Sequence, residues 1–392
     1  MLDSIHVGMT GLQGYAKGLR VIANNTANMN TPGFKGAALQ FADLYYAPSG
    51  SESGAASRLG QGLGTTGTRL DFRQGDLRQT GNEFDLGVEG EGLFVLRSAN
   101  GELRYTRAGQ FEFDADGVLV NRLDDSKVLG QDEAGRQVEF SLEGLRTVAG
   151  KATTSARFTG NLSSTMTEHT VNGVKVFDAL GKEHQLSIKF TASGEPDSGT
   201  WDMELLEGET SIGTAQITFA DGRPTAASAK PVFTYTAAGQ PAVQLSLDFS
   251  TDTTSFASGT LSSLGMASQD GRAPGSLSRV AFDAEGRLVA SYSNGETVKG
   301  ARLLLAAFDT PDAVEAVGGN QFTAANGIAW RLGTAGSAGF GTVRAGVLEA
   351  SNVDLSREFS ELVILQRGYQ ASSQVVGTAN EMLQELFRMK AK

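Results

Sequence analysis

Several side chains in this sequence stand at spacings that could do chemistry. Asp114 with Asp116, and Glu349 with Asp354, are carboxylate pairs. Two carboxyl groups about 5 to 10 Å apart can cleave a glycosidic bond, so a secreted β-rich glycosidase is one reading. Both pairs, however, fall in turn or cap contexts. Asp114-Ala115-Asp116-Gly117 is a turn closed by glycine, and Glu349–Asp354 directly precedes a helical pattern. The same Asp-x-Asp-Gly resembles part of a calcium loop, but the distal Glu and the flanking helices of that loop are missing. His184 lies near Asp178 and Glu183, across a Leu180-Gly181 turn from the former and with no third ligand close in sequence. Overlapping Gly-x-Gly at 60–62 and 62–64 has neither the following Lys-Ser/Thr nor the strand–loop–helix unit of a phosphate loop. Each candidate reads better as structure than as chemistry. We therefore expect no catalytic, metal-binding or cofactor-binding residues, and no cofactor.

Composition points the same way. The chain has 392 residues, enough for two or three domains with real cores. A formal net charge of -11 lacks the basic footprint that nucleic acid or anionic membrane requires. With 50 Gly, 8 Pro and only 20% charged residues, it suits a turn-rich β protein whose surface is supplied by Ser, Thr, Asn and Gln. The absence of cysteine rules out disulfides, thiolate zinc sites and cysteine nucleophiles. No basic segment followed by an apolar core marks a cleaved signal at the N-terminus, and no apolar run approaches the ~20 residues of a membrane span. Membrane insertion is not expected.

The elements that must position these residues begin at the two ends. Read in sevens, Leu355, Leu362, Tyr369, Val376 and Leu383 form one line, and Glu358, Leu365, Ser372, Ala379 and Leu386 a second. Eight of these ten are apolar or aromatic, the signature of a helix packed along a coiled-coil seam. Ser351 has capping-box spacing to Asp354, and Asn352 is an alternative N-cap. At the other end, Ile5, Leu12 and Leu19 repeat at seven-residue spacing, with Ile22 beside them. Glycines at 8, 11, 14 and 18 interrupt this helix, each at a cost of about 1 kcal/mol relative to alanine. Two terminal helices around a β-rich middle imply that the ends meet.

Between them, 37–68 is Gly-, Ser- and Ala-rich with little periodicity and reads as a linker that orders on assembly. From 69 to 145 the period becomes two, with turns at Asn100-Gly101 and Asp116-Gly117. Phe113-Asp114-Ala115-Asp116-Gly117-Val118-Leu119-Val120 is echoed by Phe282-Asp283-Ala284-Glu285-Gly286-Arg287-Leu288-Val289, so one β domain is expected on both sides of an insertion. The expected organisation is mainly β with paired terminal helices forming a coiled coil: 1–30 and 351–392 helical, 31–70 an extended linker, 71–145 and 275–350 an inner β domain, and 146–274 an inserted outer β domain. Strands are expected in the insertion at Gln185–Phe190, Ile212–Phe219 and Ala242–Phe249.

The first helix runs into Asn24-Asn25-Thr26-Ala27-Asn28-Met29-Asn30-Thr31-Pro32-Gly33-Phe34-Lys35, a terminator in which Pro sets φ and Gly tolerates positive φ. This stretch resembles the N-terminal signature of the bacterial flagellar rod and hook axial proteins. So do Gln74–Asn82 and Gly90-Glu91-Gly92-Leu93-Phe94. Leu348–Leu355 together with Gln366-Arg367-Gly368-Tyr369-Gln370 resembles the C-terminal signature of the same family. Thr26 and Leu93 are mild departures from its pattern. Val176-Phe177-Asp178-Ala179-Leu180-Gly181-Lys182-Glu183-His184 is similar to an outer-domain motif of the hook members, and the large insertion separates the chain from the shorter rod members.

The resemblance implies a structural subunit that self-assembles into a flexible helical tube, a universal joint between rod and filament, with a distal-rod-like role as the alternative. It implies an extracellular location in the hook, reached through the flagellar export apparatus without a cleaved signal. Its partners would be many copies of itself, the hook cap protein, the distal rod and the hook–filament junction proteins. The terminal helices would line the export channel. The assembly interface expected from this reading comprises Ile5, Leu12, Leu19, Ile22, Asn25, Asn28, Pro32, Gly33, Phe34, Leu355, Leu362, Leu365, Tyr369, Val376, Leu383 and Leu386.

Overall fold

The computed structural model describes residues 2–44, 46–48, 58–194, 199–310, 313–325 and 330–390. Positions 45 and 49–57 of the expected linker, and the last two residues of the expected C-terminal helix, lie outside them. The chain forms two compact units. The first comprises Met1–Leu142, Ala281–Val289 and Lys299–Lys392, and the second Glu143–Val280 and Ala290–Val298. Segments 275–280 and 290–298, read from the sequence as part of the inner domain, cluster with the second unit.

The second unit is built from period-two strands. Glu168–Phe177, Glu183–Ala192, Thr200–Glu207 and Thr210–Ala220 form an antiparallel meander closed by Arg223–Pro224. A four-stranded sheet runs in the order Val232–Tyr235, Val243–Thr254, Ser155–Asn161 and Gly265–Gln269. Leu186, Ile188 and Phe190 of the first sheet and Leu245, Leu247 and Phe249 of the second are all buried, and belong to one core. Alternation puts every second side chain on one face of a strand, and here that face is apolar in both sheets. Phe158 stacks on Phe249 at 4.6 Å, and Phe190 meets the same ring edge-on at 6.1 Å.

The first unit carries both helices, α1 (Leu2–Ala27) and α2 (Leu355–Lys390). Its principal sheet orders strands Thr297–Ala307, Lys127–Gln131, Leu93–Arg97, Leu103–Thr106, Gln321–Ala324 and Val314–Gly318. Leu93, Val95, Tyr105, Leu129, Leu304, Ala306 and Phe322 form a buried core on it, with Trp330 stacked on Tyr105 at 3.9 Å. Two short ladders bring the C-terminal approach back to the N-terminal half: Thr342–Ala345 pairs with Leu86–Glu89, and Val347–Glu349 with Leu77–Gln79.

Part of the stretch read as a linker is a β-hairpin arm. Ala37–Asp43 pairs antiparallel with Leu63–Leu70, with a bulge between Gln40 and Phe41. Its strands are short of large apolar residues, so alternation is faint in the sequence. What orders it is α1: Tyr15 and Phe41 rings lie 6.0 Å apart, and Lys17 Nζ donates to Thr65 Oγ1 at 3.1 Å. The start of α2 also differs from expectation. Asp354 is the N-cap, accepting from Ser356 N at 2.9 Å and Arg357 N at 3.3 Å. Ser351 and Asn352 precede the helix, and Asn352 is engaged elsewhere.

Candidate assembly site at the terminal helix pair

The two helices pack antiparallel. Gly8 lies against Val376, Gly18 against Leu365, and Asn25 against Glu358. The glycines of α1 are contact points rather than defects. A Cβ on Gly18 would stand 2.6 Å from Leu365 Cδ1, and one on Gly368 would stand 2.5 Å from the Tyr15 ring. At these separations an added Cβ would force the Leu365 tip or the Tyr15 ring to shift, so the absent side chains let the helices approach closely. The helix-propensity penalty of these glycines is thus exchanged for close packing.

Strict sevens do not follow the seam along the whole of α2. Leu355, Leu362, Leu365, Val376 and Leu383 are half-buried and Ala379 is buried, but Tyr369 is 41% and Leu386 44% exposed. An almost straight helix has 3.6 residues per turn, so a seven-residue line drifts about 20° per heptad. Gly368 therefore meets α1 where the first line has Tyr369, while Ser372 of the second line lies against Gly11. On α1, Ile22 and Asn25 are buried, and Ile5, Leu12 and Leu19 half-buried.

The polar end of the pair is closed by Asn25. Its Nδ2 donates to Ala37 O at 2.8 Å and to Glu358 Oε1 at 3.0 Å, while its Oδ1 accepts from Ala37 N at 3.0 Å. Glu358 Oε2 is buried without a hydrogen-bond partner. Burial raises the Glu358 carboxyl above its ordinary value; the Asn25 bond opposes this and nearby Glu361 reinforces it. Asn28 finishes α1, its Nδ2 donating to Asn24 O at 2.9 Å and its Oδ1 accepting from Thr31 Oγ1 at 3.1 Å. Pro32 and Phe34 are half-buried beside it.

Beyond this turn lies a buried ion cluster. Gly33 takes a φ of 68°, and a Cβ there would collide with the Arg107–Ala108 backbone at 2.5 Å. That tight turn lets Gly33 N donate to Glu349 O at 2.7 Å and sends the Lys35 side chain inward. Lys35 Nζ reaches Glu349 Oε1 at 2.6 Å and Arg73 O at 2.7 Å. Arg107 Nη1 donates to Glu349 Oε2 at 3.0 Å and to Val88 O at 3.1 Å, and Nη2 to Gly90 O at 2.5 Å. Gly75 N completes the carboxylate at 2.8 Å. Burial presses both the Lys35 ammonium and the Arg107 guanidinium below their ordinary values, against the pull of Glu349. One carboxylate thus serves two buried cations, and the remaining positive charge rests on three backbone carbonyls. Alongside, Asn352 Oδ1 accepts from Gly36 N at 2.9 Å and its Nδ2 donates to Asp71 O at 2.7 Å and Arg73 O at 3.0 Å.

The residues following α1 and those preceding α2 are therefore one clasp. Of its members the sequence reading named Asn25 and Gly33 for assembly, and weighed Glu349 only as half of a carboxylate pair. Lys35 stood in the Asn-rich signature with no role assigned, Asn352 was read as an alternative N-cap, and Arg107 was missed. Lys35 had a signal, a lone charge ending a Pro-Gly turn; Arg107 had none, because its role arises from a fold contact 242 residues away in sequence.

The remaining chemical candidates are turns. Asp114 Oδ1 accepts from Asp116 N at 3.0 Å and Val118 N at 2.8 Å, and Asp283 Oδ1 from Arg287 N at 2.7 Å. Asp178 does the same for Leu180 N and Lys182 N, both at 2.9 Å. His184 is not isolated: its ring meets Asp178 Oδ2 at 3.1 Å and Glu207 Oε1 at 2.9 Å, and Tyr235 donates to that same Glu207 oxygen at 3.0 Å. No group of three or more His, Cys, Asp or Glu among the described residues is arranged to hold a metal ion.

The helix pair is tied to its β scaffold, and the ionisable groups weighed above serve as structural ties. Comparison with known proteins gives the family. Residues 5–35 match a family model described as flagella basal body rod protein, 87–140 the flagellar hook protein FlgE/F/G D1 domain, 147–339 the flagellar basal body protein FlaE D2 domain, and 344–389 the flagellar basal body rod FlgEFG protein C-terminal. The chain is 30% identical to the flagellar hook protein FlgE of Escherichia coli K12 over 97% of its own length and 98% of that protein. It is 28% identical to FlgE of Borreliella burgdorferi over the full length of both. The crystal structure of Helicobacter pylori flagellar hook protein FlgE2 shares the fold, with a TM-score of 0.51 at 16% identity, covering 70% of this chain and all of that one. The chain belongs to the flagellar hook protein FlgE family and is a structural subunit of the flagellar hook.

Proposed function

We propose that the chain polymerises head to tail into a tube whose inner layer is the α1–α2 pair, lining an export channel, and whose β units form the outer wall. The carrying observation is the number of large apolar side chains that α2 leaves exposed. Phe359, Val363, Ile364, Val375, Met382, Phe387 and Met389 are each 47% exposed or more. A run of large apolar side chains along one helix is not a face that a monomer keeps in water without a partner. Contacts that repeat without closing generate a helical filament, and the interface residues expected from the sequence, from Ile5 and Leu12 to Leu383 and Leu386, would be shared between the intramolecular pair and neighbouring copies. The polar Thr- and Ser-rich surface of the second unit suits contacts that slide as the tube bends. On this reading the subunit leaves the cell through the flagellar export apparatus without a cleaved signal, adds beneath a hook cap protein, and joins the distal rod below and the junction proteins above.

Limited proteolysis of dilute monomer against polymer tests it. The expected result is rapid loss of about 30 N-terminal and 40 C-terminal residues from the monomer and protection of both in the polymer. Equal protection in the two states would sink the account.

A further inference from the structure

Within the second unit, the Asp178–Lys182 turn packs on two stretches near the ends of that unit's main segment, 150–153 and 270–274. Lys151 N donates to Arg272 O and Arg272 N to Lys151 O, both at 2.9 Å, so the two stretches are bridged to each other. Thr153 N donates to Phe177 O at 2.9 Å, and Thr153 Oγ1 accepts from Phe177 N at 2.8 Å. Gly181, at a φ of 77°, sits against both. A Cβ there would stand 2.7 Å from Pro274 Cδ, and a Cβ on Gly150 would stand 2.7 Å from Gly181 Cα.

His184 fastens this turn to another strand. Its side chain is 13% exposed, with Nε2 3.1 Å from Asp178 Oδ2 and Nδ1 2.9 Å from Glu207 Oε1, at the end of strand Thr200–Glu207. Tyr235, from strand Val232–Tyr235, donates to the same Glu207 oxygen at 3.0 Å and lies edge-on to the imidazole at 5.6 Å. Burial and then Glu207 push the Tyr235 phenol up, which keeps it a donor. Burial also pushes the Asp178 carboxyl up, but the Lys182 N–H, the His184 ring and the Leu180 N–H outweigh it and hold it below its ordinary value. Lys175 and Glu183 pair with each other at 3.3 Å and, by alternation, point away from His184 on the other face of their strands. Both ring nitrogens therefore face carboxylate oxygens. A neutral imidazole has one N–H to offer them, an imidazolium two.

We infer that His184 is a proton-operated latch that ties the Asp178–Lys182 turn to strand Thr200–Glu207 when both ring nitrogens carry protons, and frees one side when only one does. A singly protonated ring sets a lone pair against one carboxylate, and that contact opens. The tie is complete while the ring holds both protons and is lost as pH rises through the ring's own titration. With the turn untied, the bridged stretches that rest on it loosen. Chain continuity makes these stretches two of the connections through which force on the second unit passes.

The full chain has three histidines, so nitrogen-15 labelling of histidine follows the His184 ring directly, with His184→Gln assigning its signals. Hydrogen exchange of peptides spanning 148–153, 176–184 and 270–276, corrected for its intrinsic pH dependence, is read beside it over about pH 5 to 9. Protection should fall at least tenfold in step with loss of the ring's second proton. Protection that stays level through that loss, or a ring whose protonation does not change over the range, would overturn the latch. Glu207→Gln should abolish the step and keep protection high, because a rotated amide can accept from Tyr235 and donate to the bare ring nitrogen. His169→Gln, which removes the other histidine of the same sheet, should leave the step in place. A step that survives Glu207→Gln, or disappears in His169→Gln, belongs to another group and counts against His184.

Discussion

The β-sandwich of the second unit and the α1–α2 pair of the first solve the burial problem in opposite ways. The sandwich encloses its own core: Ile188, Phe190, Leu205, Leu247 and Phe249 are all fully buried within it. The helix pair buries little of comparable size. Its seam sets glycine, alanine and serine against half-buried Leu365 and Val376, while other large apolar residues, such as Phe359, Ile364 and Phe387, remain 53%, 66% and 70% exposed. One region is finished as a monomer. The other is held ready by its clasp and finished by neighbours. Self-sufficient cores resist local change, whereas a pair stabilised by close backbone approach depends on a few contacts.

The largest way to break this comparison is at the clasp. Glu349→Gln leaves Lys35 and Arg107 buried with no anionic partner, and should destabilise the first unit by about 3 to 5 kcal/mol. The two tryptophans divide between the units: Trp201 reports the sandwich and Trp330 the first unit. Urea unfolding followed through single-tryptophan variants should show the Trp330 transition moved to lower urea and the Trp201 transition in place. Coincident shifts would show that the units do not unfold independently.

Next comes the seam. Gly368→Val places carbon against the Tyr15 ring, where an alanine Cβ would already stand 2.5 Å away. Overpacking should cost the pair about 2 kcal/mol, seen as a lower helical melting temperature by circular dichroism at 222 nm. An unchanged melt would mean the glycines are not what sets the approach.

A smaller effect distinguishes the regions by pH. Burial pushes the Asp270 carboxyl up, but bonds from Thr154 and Ser155 and the Lys151 ammonium outweigh it and hold it down at about 2, below the ordinary 3.8. A depressed carboxyl stabilises the fold above its unfolded value and ceases to as pH falls through its folded one. The sandwich should therefore hold its full contribution from Asp270 down to about pH 4 and lose it toward pH 2. Asp270→Asn should remove that step and cost about 1 kcal/mol at neutral pH, measured by urea unfolding across the pH range.

The helix pair should respond with the opposite sign. Glu358 is raised by burial above the ordinary 4.5, so the folded pair binds that proton more tightly than the unfolded chain does. Its stability should rise as pH falls through the raised value and level off below 4.5. Glu358→Gln, which keeps an acceptor for Asn25 and removes the charge, should stabilise the pair by less than about 1 kcal/mol and abolish the acid gain. A loss of stability on this substitution would show that the carboxylate is favourable where it stands.

What could be read from the residues alone was whatever repeats locally. Seven-residue spacing announced α1 and α2, and alternation announced the sandwich strands, because periodicity is imposed by the geometry of each element independently of the rest. The Asn-rich turn with Pro32-Gly33 was legible for the same reason, and the ordered motifs around it carried the resemblance to axial proteins. Tertiary structure decided the rest. It turned Gly8, Gly18 and Gly368 from helix weaknesses into contact surfaces, since only a facing helix shows what a missing Cβ permits. It made an arm of the supposed linker, because α1 supplies the apolar surface that Ala37–Asp43 and Leu63–Leu70 lack. And it joined Lys35, Arg107 and Glu349, whose charges are tolerable in the interior only together, from three places in the chain that no local spacing connects.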